Sequence, residues 1–195
     1  MQKTKRQSSN LLKLIIIALL STISLVLLFI NFPLPFLPTY LKIDFSEVPA
    51  LIAAILFTPM AGVVVEAIKN LLYVIFTGAS DPVGVVANFA AGTLFVVPVA
   101  MFYHKFKGKK SLISGLAIGT IAMTLGMGVL NYFIILPAYG AFIGWDTMSI
   151  AVKLNTVLVG VIPFNVVKGV ILAVLFIPLF IKLKPWIEQK KATIG

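Results

Sequence analysis

Of 195 residues, 60% are hydrophobic and only 11% charged, with a mean hydropathy of +1.08. That composition excludes a soluble globular domain and describes an integral membrane protein. The net charge of +10 does not imply nucleic acid, because the lysines gather at particular connectors between apolar runs rather than on one soluble face.

A helix needs about 20 apolar residues to cross roughly 30 Å of hydrocarbon. Six runs emerge in chain order, over 11–30, 47–57, 60–76, 82–104, 111–139 and 157–183. The fold expected is all-α, with six transmembrane helices and residues 1–195 forming one membrane domain.

The first run follows a basic start containing Lys3, Lys5 and Arg6 and has the outline of a signal peptide. It leads into Asn31-Phe32-Pro33 with no small-x-small cleavage site, so a retained helix is expected. The connector that follows, NFPLPFLPTYLKIDFSEVP, is too rich in proline for a helix and too apolar for an ordinary solvent loop. The second run is short and is separated from the third only by Thr58-Pro59.

In the third run, Glu66, Lys69 and Asn70 recur at i, i+3 and i+4 and share a face. They form either an ion pair neutralised for insertion or part of a polar cavity. The fourth carries Asn88 near its start and His104 near its end. His104 is the sole histidine, so no metal site is expected there. Lys105, Lys107, Lys109 and Lys110 follow. KGKKS at 107–111 imitates the end of a phosphate-binding loop without its upstream glycine, which argues against an ATPase.

The fifth run carries Asn131 and Tyr132. The connector over 140–155, GAFIGWDTMSIAVKLN, is again apolar for an exposed loop. In the sixth, Pro163, Asn165, Lys168 and Gly169 interrupt VIPFNVVKGVIL. Lys168 lies too deep to snorkel and has no acid on its own helix. It is expected either to pair with Glu66 or to offer its ammonium to a ligand.

The lysine clusters at the start, after the fourth run and at the end (Lys182, Lys184, Lys190, Lys191) fall on one side when six spans are counted, and the positive-inside rule makes that side cytoplasmic. Both termini are then cytoplasmic, with tails over 1–10 and 184–195. The outer connectors carry Asp44, Asp81 and Asp146, and 31–46 becomes an external lid loop. Asn88, Asn131, Asn165 and Lys168 converge in the outer half of the bilayer, near Tyr40, Phe45, Tyr132, Tyr139 and Trp145. A pocket for a flat polar heterocycle between apolar walls is expected. Cysteine is absent, and the carboxylates are not paired at the spacing of a lipid-processing metal enzyme, so no enzymatic activity is expected.

Five stretches taken together, over 31–52, 62–73 (GVVVEAIKNLLY), 77–89 (TGASDPVGVVANF), 131–140 (NYFIILPAYG) and 163–172 (PFNVVKGVIL), resemble the riboflavin-specific substrate-binding component of bacterial energy-coupling factor (ECF) transporters, the RibU family. The resemblance implies an S component in the bacterial cell membrane that binds riboflavin with high affinity from outside, with no cofactor beyond that ligand. Uptake would require a transmembrane coupling protein and two cytoplasmic ATPases. Asn131, Asn165 and Lys168 would bond the ring edge, with backbone around Leu41 and Ala79 completing the contacts. Tyr40, Asp44, Asn88 and Tyr132 are included in the expected site. Docking to the coupling protein would use Ala18 and Thr22, where the family pattern has two alanines; the alternative is packing within this chain. The rival function is a stand-alone secondary transporter of a flavin or other heterocycle with Glu66 as its proton or cation site.

Overall fold

The computed structural model describes residues 2–78, 80–143 and 148–194; Ala79, Trp145 and Asp146, together with the side chains of Lys3, Lys5 and Arg6, lie outside that description. Among the described residues six helices follow one another. The first spans Gln2–Phe29, the second Glu47–Leu56, the third Pro59–Thr77 and the fourth Pro82–Phe106. The fifth runs as α-helix over Gly108–Leu130, widens to a π turn over Asn131–Ile135 and resumes over Leu136–Ile143. The sixth does the same over Ile150–Asn155, Thr156–Val161 and Ile162–Ile194. Five are long and apolar enough to cross a membrane, whereas the second, with 10 residues, rises only about 15 Å.

Local chemistry explains the boundaries. Thr58 caps the third helix by accepting from the Ala61 amide, with Pro59 in the first turn, and Gly78 ends it at φ +64°. Asp81 caps the fourth in the same way, ahead of Pro82. The 140–155 connector is mostly helical where it is described, contrary to the loop expected. Its apolar residues extend the fifth helix to Ile143, and Ser149 caps the sixth by accepting from Val152.

The connector between the first and second helices contains a short antiparallel hairpin, β1 (Phe32–Pro33) with β2 (Lys42–Ile43), in which Phe32 faces Ile43. Its turn is closed by the Leu41 amide donating to the Pro38 carbonyl at 2.9 Å. Phe36 at the tip adopts φ +68° and is fully exposed.

The short helix is the innermost element. Ala50, Leu51, Ala53, Ala54 and Ile55 are fully buried, and it packs on the first, third, fourth and sixth helices. Gly62 permits this, since a Cβ there would come within 2.7 Å of the Ala54 Cβ and 2.6 Å of Val96 Cγ1. At the far end, His104 Nε2 donates to the Ala54 carbonyl at 2.8 Å. The outward faces are greasy, with Leu71, Ile75, Ile121, Leu125 and Val174 all exposed, while Glu47, Glu66, Lys69 and Lys168 are inside. This reverses the soluble pattern, as lipid requires.

Candidate functional site

A cavity of about 400 Å³ opens at the hairpin end of the bundle. Thr39, Tyr40, Leu41, Lys42 and Asp44 form one wall, and Asn70 and Tyr73 of the third helix form another. The fourth helix adds Asn88 and Ala91, the fifth Asn131 and Tyr139, and the sixth Phe164, Asn165 and Lys168. The volume lies within the range of small-molecule sites, about 300 to 1,000 Å³, and the lining is richer in polar side chains than is usual for them.

Three asparagines are oriented by their own helices. Asn70, Asn131 and Asn165 each donate Nδ2–H to the carbonyl four residues earlier, on Glu66, Met127 and Val161, at 2.9, 2.8 and 2.8 Å. A carbonyl only accepts, so the amide nitrogen must face it, and this settles which way round each side chain lies. Asn131 begins one π turn and Val161 ends the other. A π turn rotates the residues that follow it relative to a regular helix, and such turns are frequent at functional sites. Here Asn131 and Ile135 of the first line the cavity, and the second precedes the lining residues Phe164 and Asn165 on the sixth helix.

Beneath the asparagines lies a chain of buried charges. Lys69 pairs with Glu66 at 2.8 Å and donates to Ser46 Oγ. Ser46 donates to Asp44 through both its hydroxyl and its amide. Asp44 in turn accepts from Lys168 at 3.1 Å, and Lys168 pairs with Glu47 at 2.7 Å. From the first helix, Ser24 donates to the Ser46 carbonyl. The chain therefore links the hairpin connector to four helices. Burial opposes the Asp44 charge, but the ammonium groups of Lys168 and Lys69 and the two Ser46 bonds hold its carboxyl below the usual value.

Tyrosines border the cavity. Tyr139 donates to Asp81 Oδ2 at 3.2 Å while Asp81 Oδ1 caps the fourth helix through the Gly84 amide at 2.8 Å. The Tyr40 and Tyr139 rings lie 5.7 Å apart. Burial pushes the Tyr40 phenol up to about 12, so it stays neutral.

Of the residues expected at a site, Tyr40, Leu41, Asp44, Asn88, Asn131, Asn165 and Lys168 line this cavity together. Asn70 joins them, and so separates in role from Glu66 and Lys69 behind it. Tyr132 does not: its ring packs edge-on against Phe133 and lies 5.2 Å from the Lys153 ammonium. Residues adjacent in a helix point in different directions, so Asn131 facing inward turns Tyr132 away. Ala79 is outside the described residues. Lys168 pairs with Asp44 and Glu47, which replaces the expected pairing with Glu66.

Sequence reasoning missed Tyr73, Asp81, Ser46 and Glu47. Tyr73 follows Asn70 by three positions and so was findable from helical spacing, whereas Glu47 gave no signal beyond being an acid in a greasy stretch. Ala18 and Thr22 are exposed on the first helix, with Ser21 and Ser24 facing inward. That pair therefore faces away from the rest of the bundle.

The fold and cavity define a membrane component that encloses a small molecule among its helices. The chain belongs to the family described as ECF transporter, substrate-specific component, which matches residues 12–180. It is 50% identical over 182 residues to the riboflavin transporter FmnP of Bacillus subtilis (strain 168), covering 92% of this chain and 96% of that one. It is 44% identical over 190 residues to the riboflavin transporter RibU of Staphylococcus aureus (strain TCH60), covering 97% and 95%. A solved structure described as the S component of a bacterial ECF transporter superposes with a TM-score of 0.78 at 45% identity, covering 89% of this chain and 96% of that one. The protein is a multi-pass component of the bacterial cell membrane that binds a transported substrate, rather than an enzyme.

Proposed function

We propose that the chain is the riboflavin-binding component of an ECF importer, with riboflavin as transported ligand and no cofactor. The observation that carries this reading is the cavity of about 400 Å³ in which Asn131, Asn165 and Lys168, brought from two helices, share the lining with Tyr40 and Leu41 of the hairpin connector. A tricyclic ring would bury its faces against Phe164, Ile135 and Tyr139 and bond its polar edge to the amides and the ammonium. Asn88, Asp44 and the backbone near Ala79 belong to the same proposed site. The names carried by the relatives at 50% and 44% identity support riboflavin over other heterocycles.

The orientation that suits this role puts both termini and the tails 1–10 and 184–195 in the cytoplasm and the 31–46 segment outside as a lid. Energy would come from a transmembrane coupling protein and two ATPases, met through the lipid-facing surface that includes Ala18 and Thr22. Detergent-purified protein is expected to quench riboflavin fluorescence stoichiometrically; a preparation that leaves the fluorescence unchanged refutes the ligand. Riboflavin accumulation by vesicles holding this chain without any ATPase would instead establish the stand-alone transporter.

A further inference from the structure

Three carboxylates, Asp44, Glu47 and Glu66, share the buried cluster with two ammonium groups, Lys69 and Lys168. Lys168 and Asp44 reach the cavity, whereas Glu47 is fully buried and takes no part in the cavity wall. Yet Glu47 makes the closer of the two ion pairs with Lys168, 2.7 Å against 3.1 Å. The cavity-lining ammonium is thus held between an acid on the hairpin connector and an acid on the innermost helix.

We propose that Glu47 is the positioning residue for Lys168, and that it sets which chemical group this lysine accepts as a partner. An ammonium has three N–H donors on a flexible stem. Asp44 accepts from one of them, and the Glu47 carboxylate, 2.7 Å away, holds the tip of the stem as an ion pair, so that an N–H remains for the cavity. Carboxylates outnumber ammonium groups, so the cluster holds no positive charge in excess. The remaining lining charges, Lys42 and Asp81, are one of each sign. A phosphate or carboxylate brought to Lys168 would enter a site already neutralised by two acids, and its desolvation would go uncompensated. An uncharged carbonyl needs only the one oriented N–H. The group recognised by Lys168 is therefore a neutral acceptor, such as a ring carbonyl, and Glu47 enforces that choice from outside the contact shell.

This inference rests on the riboflavin reading, and the test separates the two. Riboflavin dissociation constants are measured by fluorescence quenching in detergent for wild type, Glu47→Gln, Lys168→Gln and the double variant, with melting temperatures and the visible spectrum of bound flavin recorded for each. Glu47→Gln is expected to weaken riboflavin by about tenfold and to shift the bound-flavin spectrum toward that of Lys168→Gln. In the Lys168→Gln background the Glu47→Gln change is expected to cost no further affinity, because the group it acts through is gone. The double variant is also expected to melt above Lys168→Gln, in which Glu47 is buried without its ammonium partner. Inorganic phosphate at millimolar concentration should not displace riboflavin from wild type.

Glu47→Gln with wild-type affinity and spectrum overturns the inference, as do losses that multiply in the double variant or competition by phosphate. Wild type that binds no riboflavin overturns the flavin reading, and this inference with it. The melting temperatures keep the result interpretable, since a purely structural Glu47 would lower stability without moving the spectrum.

Discussion

Asn70, Asn131 and Asn165 each commit one amide N–H to the carbonyl one turn back, and that bond decides what remains to offer a ligand. A side chain so anchored presents its remaining donor and acceptor in one direction, with little rotamer entropy left to lose on binding. Asn131→Ala and Asn165→Ala are each expected to weaken riboflavin by about 1–2 kcal/mol, roughly 5- to 30-fold in dissociation constant, with insertion intact. Tyr132→Ala is the control, because that ring faces Lys153 and leaves the cavity wall unchanged; titration by fluorescence quenching checks all three. Asn131 and Asn165 were legible in the sequence because an amide in an apolar helix demands a partner. Glu47 and Ser46 were not, because their importance comes from Lys168 and Lys69, which lie 121 and 23 residues further along and meet them only in the folded bundle.

At the scale of elements, the fourth helix approaches the third so closely that the Glu66 carboxylate lies over Gly92. A Cβ at Gly92 would come within 2.2 Å of Glu66 Oε2. Gly92→Ala must therefore displace a buried, paired carboxylate or part the two helices. A loss of about 1–3 kcal/mol is expected, seen as a lowered melting temperature of the unliganded protein. Helix positions were readable from hydrophobic run length, including the short second helix. The two π turns were not, since nothing in NYFII or TVLVGV distinguishes them from ordinary helix. The hairpin was hidden for a related reason. Two residues per strand leave no alternation to detect, and a proline at an edge position such as Pro33 is compatible with a strand without signalling one.

For the whole molecule, the lysine distribution leads to one testable expectation, that the hairpin emerges outside. The chain has no cysteine, so a single introduced thiol reports its location without background. Phe36→Cys at the fully exposed hairpin tip is expected to react with a membrane-impermeant maleimide on intact cells. Lys109→Cys, exposed at the start of the fifth helix at the opposite end, is expected to react only after permeabilisation. The reverse pattern would invert the proposed entry side of the ligand. The number of helices could be counted from sequence alone because apolar run length is a local signal, whereas the shape of the cavity depends on how all six helices pack.

The short inner helix also constrains biogenesis. Ten residues beginning with Glu47 cannot hold themselves in a bilayer of roughly 30 Å, so the second helix has no stable place until the surrounding spans have gathered. Its arrival brings Asp44, Ser46 and Glu47 to their lysines and at the same time creates the cavity wall at Tyr40 and Leu41. Competence to bind is thus expected to be the last property the chain acquires. In refolding from denaturant into micelles, circular dichroism would recover first and riboflavin quenching afterwards, in a separate slower phase; coincident recovery would place this helix among the early events.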